Sequence, residues 1–509
     1  MTIEKTLFAA ADKMRGAMDP GEYKHVALGL IFLRYVSAAF GRKHEELLPE
    51  GEDVAEDRDE YLAEGIFWVP AAARWRHLAA HSKDPKIGVM VDDAMRAIET
   101  ENDALKGALP KVYGRQGLDP AVVSGLVDLF SNIEFTGTEK DFDLLGRVYE
   151  YFISEFASNE GKRGGDFHTP KAVVELIVEM LEPVKGRLYE PCFGSGSFMV
   201  QSERFTDHHQ NNRPPEGWKH DLAIYGQERN HTTYGLAKMN LAIRGLSANL
   251  AWNPEGTLLK DAFPDERFEF VMANPPFNVS DWLGELLAED RRWAFGTPPP
   301  GNANFAWMQH VHDKLSATGI AGVVMANGAM SSQQSGEGDI RAAMVRAEAV
   351  DAVVALPGQL FYGTQIPACI WILARDKSNG VAKDAKLRDR RGEVLMIDAR
   401  KMGALILGSR KQKTLSPEEV ARIAGAYHAW REGDGFQDEP GFVRAAPLKE
   451  IERHGFVLTP GRYVGAGAAE EDGAPFEETF ARLTEELRAQ FEEGRRLEAE
   501  IEARLGALE

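Results

Sequence analysis

Much that would place the 509-residue chain at once is missing from it. It has two cysteines, Cys192 and Cys369, too few for a disulfide framework and without a Cys-x-x-Cys pair to hold zinc. A reducing compartment follows, and the chain reads as cytoplasmic. There is no excess of positive charge: 59 Lys and Arg stand against 79 Asp and Glu, a formal charge of −20. That excludes a protein that grips nucleic acid by overall charge, though not a local basic cleft or a basic partner. The longest apolar run near the N-terminus, residues 26–33, is far short of the roughly 20 residues a membrane span needs. The opening MTIEKTLFAAADKMRGAM shows no signal-peptide pattern. The 44% hydrophobic and 27% charged composition rules out a mostly disordered chain, and the length suggests about three units.

Residues 1–160 read as a helical domain. Ile3, Leu7, Ala10 and Met14 recur at helical spacing, as do Leu28, Ile31, Phe32, Tyr35 and Val36. From 161 to 465 short apolar runs alternate with helical patterns. Strands are expected at 187–192, 222–227, 268–273, 320–326, 350–356, 366–373 and 393–398, with helices at 230–244 and 304–315 between them. Such alternation means an α/β fold, a mostly parallel sheet covered by helices on both faces. Only a short loop separates 350–356 from 366–373, so these form a hairpin, giving an antiparallel strand at that edge. Lys383, Lys386, Arg388, Arg390 and Arg391 make a basic loop, either a solvated surface or a contact for a nucleic-acid backbone. Residues 466–474 read as a linker, and 475–509 as one long helical tail. Its stripe of Phe476, Phe480, Leu483, Leu487 and Phe491 must be buried on its own domain or on another subunit.

Three constellations carry chemistry. Tyr189-Glu190-Pro191-Cys192-Phe193-Gly194-Ser195-Gly196 ends a strand and opens a helix. Its glycines allow close approach of backbone to a ligand at a helix N-terminus, or simply a tight turn. It is neither a dinucleotide fingerprint nor a Walker loop. Glu228 ends the next strand, where an acid can accept hydrogen bonds from ribose hydroxyls. Asp261 and Phe263 precede the next strand, within reach of an adenine ring in such a fold; Asp261 could equally be a turn or cap residue. The third string, Asn274-Pro275-Pro276-Phe277, decides. Two prolines stiffen the loop and leave carbonyl acceptors, and Asn adds an amide oxygen. Together they can hold both hydrogens of an exocyclic amine and turn its lone pair out of the ring. Phe277 offers a face for a flipped base.

At this point the chain resembles the S-adenosylmethionine-dependent amino-methyltransferases of DNA, and in particular the modification subunit of type I restriction–modification systems. The likeness covers nearly the whole chain. Ala11-Asp12-Lys13-Met14-Arg15, Tyr23-Lys24-His25 and Leu30 to Tyr35 resemble the family's helical domain. Gly164-Gly165-Asp166-Phe167-His168-Thr169-Pro170 resembles the segment that approaches the methionine end of the cofactor, where the family usually has Tyr in place of His168. Leu356-Pro357, Phe361 and Gly363-Thr364 follow in the family's order.

The resemblance implies a Rossmann-like methyltransferase fold and S-adenosyl-L-methionine as cofactor, held by Gly164 to Pro170, Glu190, Gly194, Ser195, Gly196, Glu228, Asp261 and Phe263. It implies direct methyl transfer to adenine N6 in double-stranded DNA, with Asn274 to Phe277 catalytic. The implied partners are a DNA specificity subunit reached through the tail, a restriction subunit and a second copy of the chain, with no membrane. Cytosine N4 is also an amine, and the physics alone leaves it open. Cytosine C5 chemistry needs a nucleophilic cysteine, and Cys192 lies in the cofactor loop instead. No metal is called for; His208 and His209 read as part of a solvated loop. Methylation of a protein glutamine, or a non-catalytic scaffold that binds cofactor, are the rival readings.

Overall fold

The computed structural model describes residues 3–16, 18, 20–132, 146–153, 155–156, 169–209, 222–361, 366–378, 381–382, 385–406 and 412–465, with six further positions between 484 and 496. The linker at 466–474 and nearly all of the tail lie outside them.

Turn residues and caps divide the start of the chain into helices α1 (Ile3–Met14), α2 (Pro20–Leu47), α3 (Glu52–Ala55), α4 (Arg58–Leu62), α5 (Trp75–Ala80), α6 (Ile87–Glu101) and α7 (Pro120–Ser131). Residues 146–153 are also helical and form α8. Asp119 and Pro120 start α7 in the expected way: the carboxylate accepts from the Ala121 N–H and proline takes the first turn. In α2 every residue from Val26 to Leu33 is buried, so the middle of this helix runs through the core of the bundle while its ends carry charged, partly exposed residues. Gly88 of α6 touches the chain at Tyr113 so closely that a Cβ would lie 2.1 Å from that carbonyl oxygen.

The rest is built on a nine-stranded sheet. In chain order its elements are α9 (Lys171–Leu181), β1 (Gly186–Glu190), α10 (Ser197–His209), β2 (Leu222–Glu228), α11 (His231–Ala242), β3 (Ala248–Trp252), β4 (Phe268–Ala273), α12 (Asn304–Asp313), β5 (Leu315–Ala326), α13 (Glu337–Arg346), β6 (Val350–Ala355) and β7 (Ala368–Ala374). After the two-residue pair β8 (Val381–Ala382) and β9 (Ala385–Lys386) come β10 (Glu393–Asp398), the pair β11 (Ala404–Leu405) and β12 (Lys413–Thr414), α14 (Pro417–Glu432), β13 (Val443–Pro447) and α15 (Leu448–Arg453). The sheet order is β13-β10-β6-β7-β5-β4-β1-β2-β3. Pairing is parallel from β3 through β5 and between β6 and β10; β7 runs antiparallel to both β5 and β6. The β6–β7 hairpin is present, but it lies inside the sheet, because β10 and β13 continue beyond it.

Alternation along the strands sorts side chains between two cores. On β7, Ile370 and Ile372 join the layer of α9, α10 and α14, while Cys369, Trp371 and Leu373 join that of α12, α13 and α15. Helix α11 serves two masters. Ala237 and Leu241 face the sheet core, and Leu236 and Met239 belong to the core of the helical bundle. The Tyr149 hydroxyl donates to the Leu236 carbonyl at 3.3 Å, and a Cβ on Gly235 would lie 2.5 Å from the Ala108 carbonyl oxygen. The helical bundle is thus seated directly on the helix that follows β2.

Two local expectations change. His208 and His209 are not in a loop but end α10. The basic loop is only partly solvated: Arg390 is buried and ion-paired with buried Asp351 at 3.0 Å, and Arg388 pairs with Glu393 across the Trp430 ring, leaving Arg391 exposed. A carboxylate sunk in β6 demands a counter-charge, and Arg390 supplies it. Among the described residues no helix is long and apolar enough to cross a membrane.

Candidate active site

The chain leaves β1 toward β2 and β3, then returns to β4 on its other side. That reversal opens a crevice at the carboxyl ends of the strands. A cavity of about 800 Å3 fills it, lined by Thr169, Glu190, Gly194, Ser195, Glu228, Asn274, Pro276, Trp282 and Trp307 among others. That is the upper end of the size range for small-molecule sites, room for more than one ligand.

Three strand ends build its walls. From β1, Gly194 and Gly196 take positive φ, 54° and 75°, and a Cβ at Gly194 would point into open space. The turn is pinned at both sides: the Gly194 N–H donates to Glu228 Oε2 at 3.0 Å, and Asn240 Nδ2 of α11 donates to the Ser195 carbonyl at 2.8 Å. From β2, Glu228 Oε1 also accepts from the N–H groups of Arg229 and Asn230. Asn230 then caps α11 through its side chain. From β4, the buried Asn274 donates through Nδ2 to Thr169 Oγ1 at 2.9 Å, a link across 105 residues. Phe277 packs edge-on against Phe361, ring centres 6.2 Å apart.

Glu190 is buried, and its Oε2 has no hydrogen-bond partner among the described residues. Burial foremost, and then the charge of Glu228, push its carboxyl well above the usual carboxylate range. Burial, with Glu190 and Glu228 adding, also drives the Cys192 thiol well up, so it stands beside the cavity as a neutral thiol. A thiolate nucleophile is disfavoured there.

Of the anticipated residues, Thr169, Glu190, Gly194, Ser195, Glu228, Asn274 and Pro276 meet at this cavity. Gly196, Pro170, Pro275 and Phe277 support its walls without lining it. Gly164 to His168 lie outside the described residues. Asp261 and Phe263 are elsewhere: Asp261 is ion-paired with the buried Lys314, whose Nζ also donates to the Phe263 carbonyl, and the Phe263 ring meets Tyr189 and Tyr225 edge-on. The turn runs down the α12 face of the sheet, and residues 257–259 take the wall in its place. Gln227 fixes that course, donating to the Lys260 carbonyl and accepting from the Ala262 N–H. Not foreseen among the lining residues were Trp282 and Trp307, and Lys24 and Ile153 of the helical bundle. Away from the cavity, Glu182, His428 and Glu432 bring three ligand-type atoms within 4.8 Å where α9 meets α14, with Arg431 already paired to Glu182 at 3.2 Å.

Comparison with known proteins reads the same way. Residues 140–472 match the family described as N-6 DNA Methylase, and residues 3–130 the HsdM N-terminal domain. The methylase subunit of the type I restriction enzyme HindI from Haemophilus influenzae is 45% identical over 460 residues, 86% of this chain and 99% of that one. The chain belongs to the N-6 DNA methylases, among the methylase subunits of type I restriction enzymes. Similar too is the MjaIX methylase subunit from Methanocaldococcus jannaschii, 35% identical over 99% of this chain and 91% of its own length. The crystal structure of the type I restriction-modification system methyltransferase subunit from Streptococcus thermophilus superposes with a TM-score of 0.74 at 25% identity, covering 91% of this chain and all of that one. The cofactor of an N-6 DNA methylase is S-adenosyl-L-methionine. The residues present fit it: an open glycine turn, an acid at the end of β2 and a buried carboxyl oxygen awaiting a donor are suited to a cationic, hydroxyl-bearing nucleoside.

Proposed function

We propose that this methylase transfers a methyl group to N6 of an adenine turned out of duplex DNA, as the modification subunit working with a specificity subunit, a restriction subunit and a second copy of itself in the cytoplasm. The observation that carries this reading is Asn274, held by Thr169 in the same cavity as Glu190 and Glu228. Thr169 takes the amide's Nδ2 and so sets Oδ1 as its acceptor end. With the Pro-rich turn it accepts the amine hydrogens, and the nitrogen lone pair leaves conjugation with the ring. Bound there, the cofactor would supply a methyl on a positive sulfur, with a C–N bond formed as the C–S bond breaks and the amine's proton released to solvent. Gly194, Ser195, Glu190 and Glu228 would hold the cofactor, and the likeness of 164–170 to the family's segment assigns that stretch to its methionine end. No covalent link to the enzyme is required.

The layout we propose has residues 1–160 as helical domain, 161–465 as catalytic domain, 466–474 as linker and 475–509 as the helix that docks the specificity subunit. The test is single-molecule sequencing of DNA from cells carrying the complex with and without this chain. N6-methyladenine at one sequence motif, lost with the chain, is expected; N4-methylcytosine at that motif would overturn the adenine assignment. Deleting 475–509 is expected to end co-purification of the specificity subunit while calorimetric cofactor binding persists.

A further inference from the structure

The loop after β4 ends in an apolar tip at the cavity mouth. Leu283 lines the cavity yet is 55% exposed, and Leu286, three residues on, is 75% exposed. Exposed leucines are ordinary singly. These two are held in place. Leu283 sits in the left-handed region, φ 59° and ψ 34°, costly for a leucine, and strain of this kind persists only where the surroundings enforce it. The surroundings do enforce it. Gly284 lies on the Trp282 ring, where a Cβ would come 2.3 Å from Cζ2. Trp282 is buried, donates from Nε1 to the Pro299 carbonyl at 3.2 Å, and packs edge-on against Trp293. The base of the loop is clamped as well: Asn278 and the buried Asn304 exchange two hydrogen bonds, 2.9 and 2.8 Å. Residues 284–287 form a 3-10 turn, and the Leu286 N–H donates to the Leu283 carbonyl at 3.0 Å, so one closed turn carries both leucines.

From this geometry we infer that Leu283, backed by Leu286, is the wedge that enters the base stack when the target nucleotide turns out. The inference rests on the flipped-base reading above. A base in this cavity leaves a gap in the duplex lying over the mouth, and an apolar side chain can fill such a gap and offset the lost stacking. The loop's charge supports a contact to bases over one to phosphates. Residues 280–290 carry Asp281, Glu285, Glu289 and Asp290 and no Lys or Arg.

The test uses the purified complex with its specificity subunit and two duplexes carrying the host's methylation motif. In one the target adenine is paired; in the other it faces an abasic site, so turning it out is cheap. Leu283→Ser is expected to lower kcat/KM about tenfold on the paired duplex and less than twofold on the unpaired one, with calorimetric cofactor affinity unchanged. Leu286→Ser is expected to show the same selectivity at roughly threefold. Equal losses on both duplexes, or no loss on either, overturn the wedge while leaving methyl transfer intact. A wild-type complex that methylates neither duplex removes the reading beneath it.

Discussion

The two walls of the cavity recognise their ligands by opposite means. The wall from β1 and β2 is polar: the buried Glu190, and Glu228, whose carboxylate locks the glycine turn and the N–H groups of Arg229 and Asn230 by short hydrogen bonds within 40 residues of chain. The wall from β4 and the loop beyond it is one fixed amide set among Pro276, Trp282 and Trp307. A charged, hydroxyl-rich cofactor is identified by directional acceptors, and a planar base with few polar groups by aromatic surface and a single amine contact. The walls come from different strands, so each should fail without disturbing the other.

The sharpest break is Asn274→Ala. It should lower kcat about a thousandfold or more, the scale of removing a preorganised polar group from a reacting centre. Cofactor affinity in calorimetry should stay within about threefold. Loss of cofactor binding alongside activity would mean the walls are not separable. Glu228→Ala should do the reverse. It should raise the KM for cofactor about 30-fold, consistent with ~2 kcal/mol for hydrogen bonds to a charged group, and leave kcat within about threefold at saturation. Thr169→Val comes next. It keeps the shape but withdraws the acceptor from Asn274 Nδ2, so kcat should fall about tenfold through mispositioning, with cofactor affinity unchanged. Thr169→Ser should restore most of that loss.

The two walls also differ in how far they could be read from residues alone. Glu190, Gly194, Glu228 and Asn274 stand at the ends of apolar β runs, where a polar residue is conspicuous and strand direction aims it at the crevice. Trp282 and Trp307 carry no such mark, since an aromatic in a long loop or on the helix α12 looks like core until the path of the chain is known. Asp261 stays between two readings for a related reason: its turn to the Phe263 N–H is local, but its partner Lys314 is 53 residues on and buried under the sheet. Among elements, β3 and β13 were missed because they are short, half-exposed or alanine-rich, and pairing with a neighbour, not their own pattern, makes them strands. Helix α14 was legible and overlooked: Ser416-Pro417-Glu418-Glu419 is a capping box, and Gly433 closes the helix.

The smallest effect separates the walls by pH. Only the polar wall holds a titrating group strained by its site. Glu190 binds its proton more tightly in the folded protein than in the unfolded chain, through burial and then the charge of Glu228. The folded state therefore holds more protons above the ordinary carboxylate range, and stability falls as pH rises from there toward Glu190's raised value. For one proton the slope approaches ~1.4 kcal/mol per pH unit. Cofactor-free chain should show its unfolding midpoint falling across that window, and Glu190→Gln, which keeps a neutral group of the same shape, should flatten the fall. The cofactor's positive groups should flatten it as well, by favouring the ionised carboxyl, so that binding to the wild-type chain releases a fraction of a proton and binding to the variant releases none. Calorimetry in two buffers of different ionisation enthalpy measures that release; equal release by both chains would move the titrating group off the polar wall.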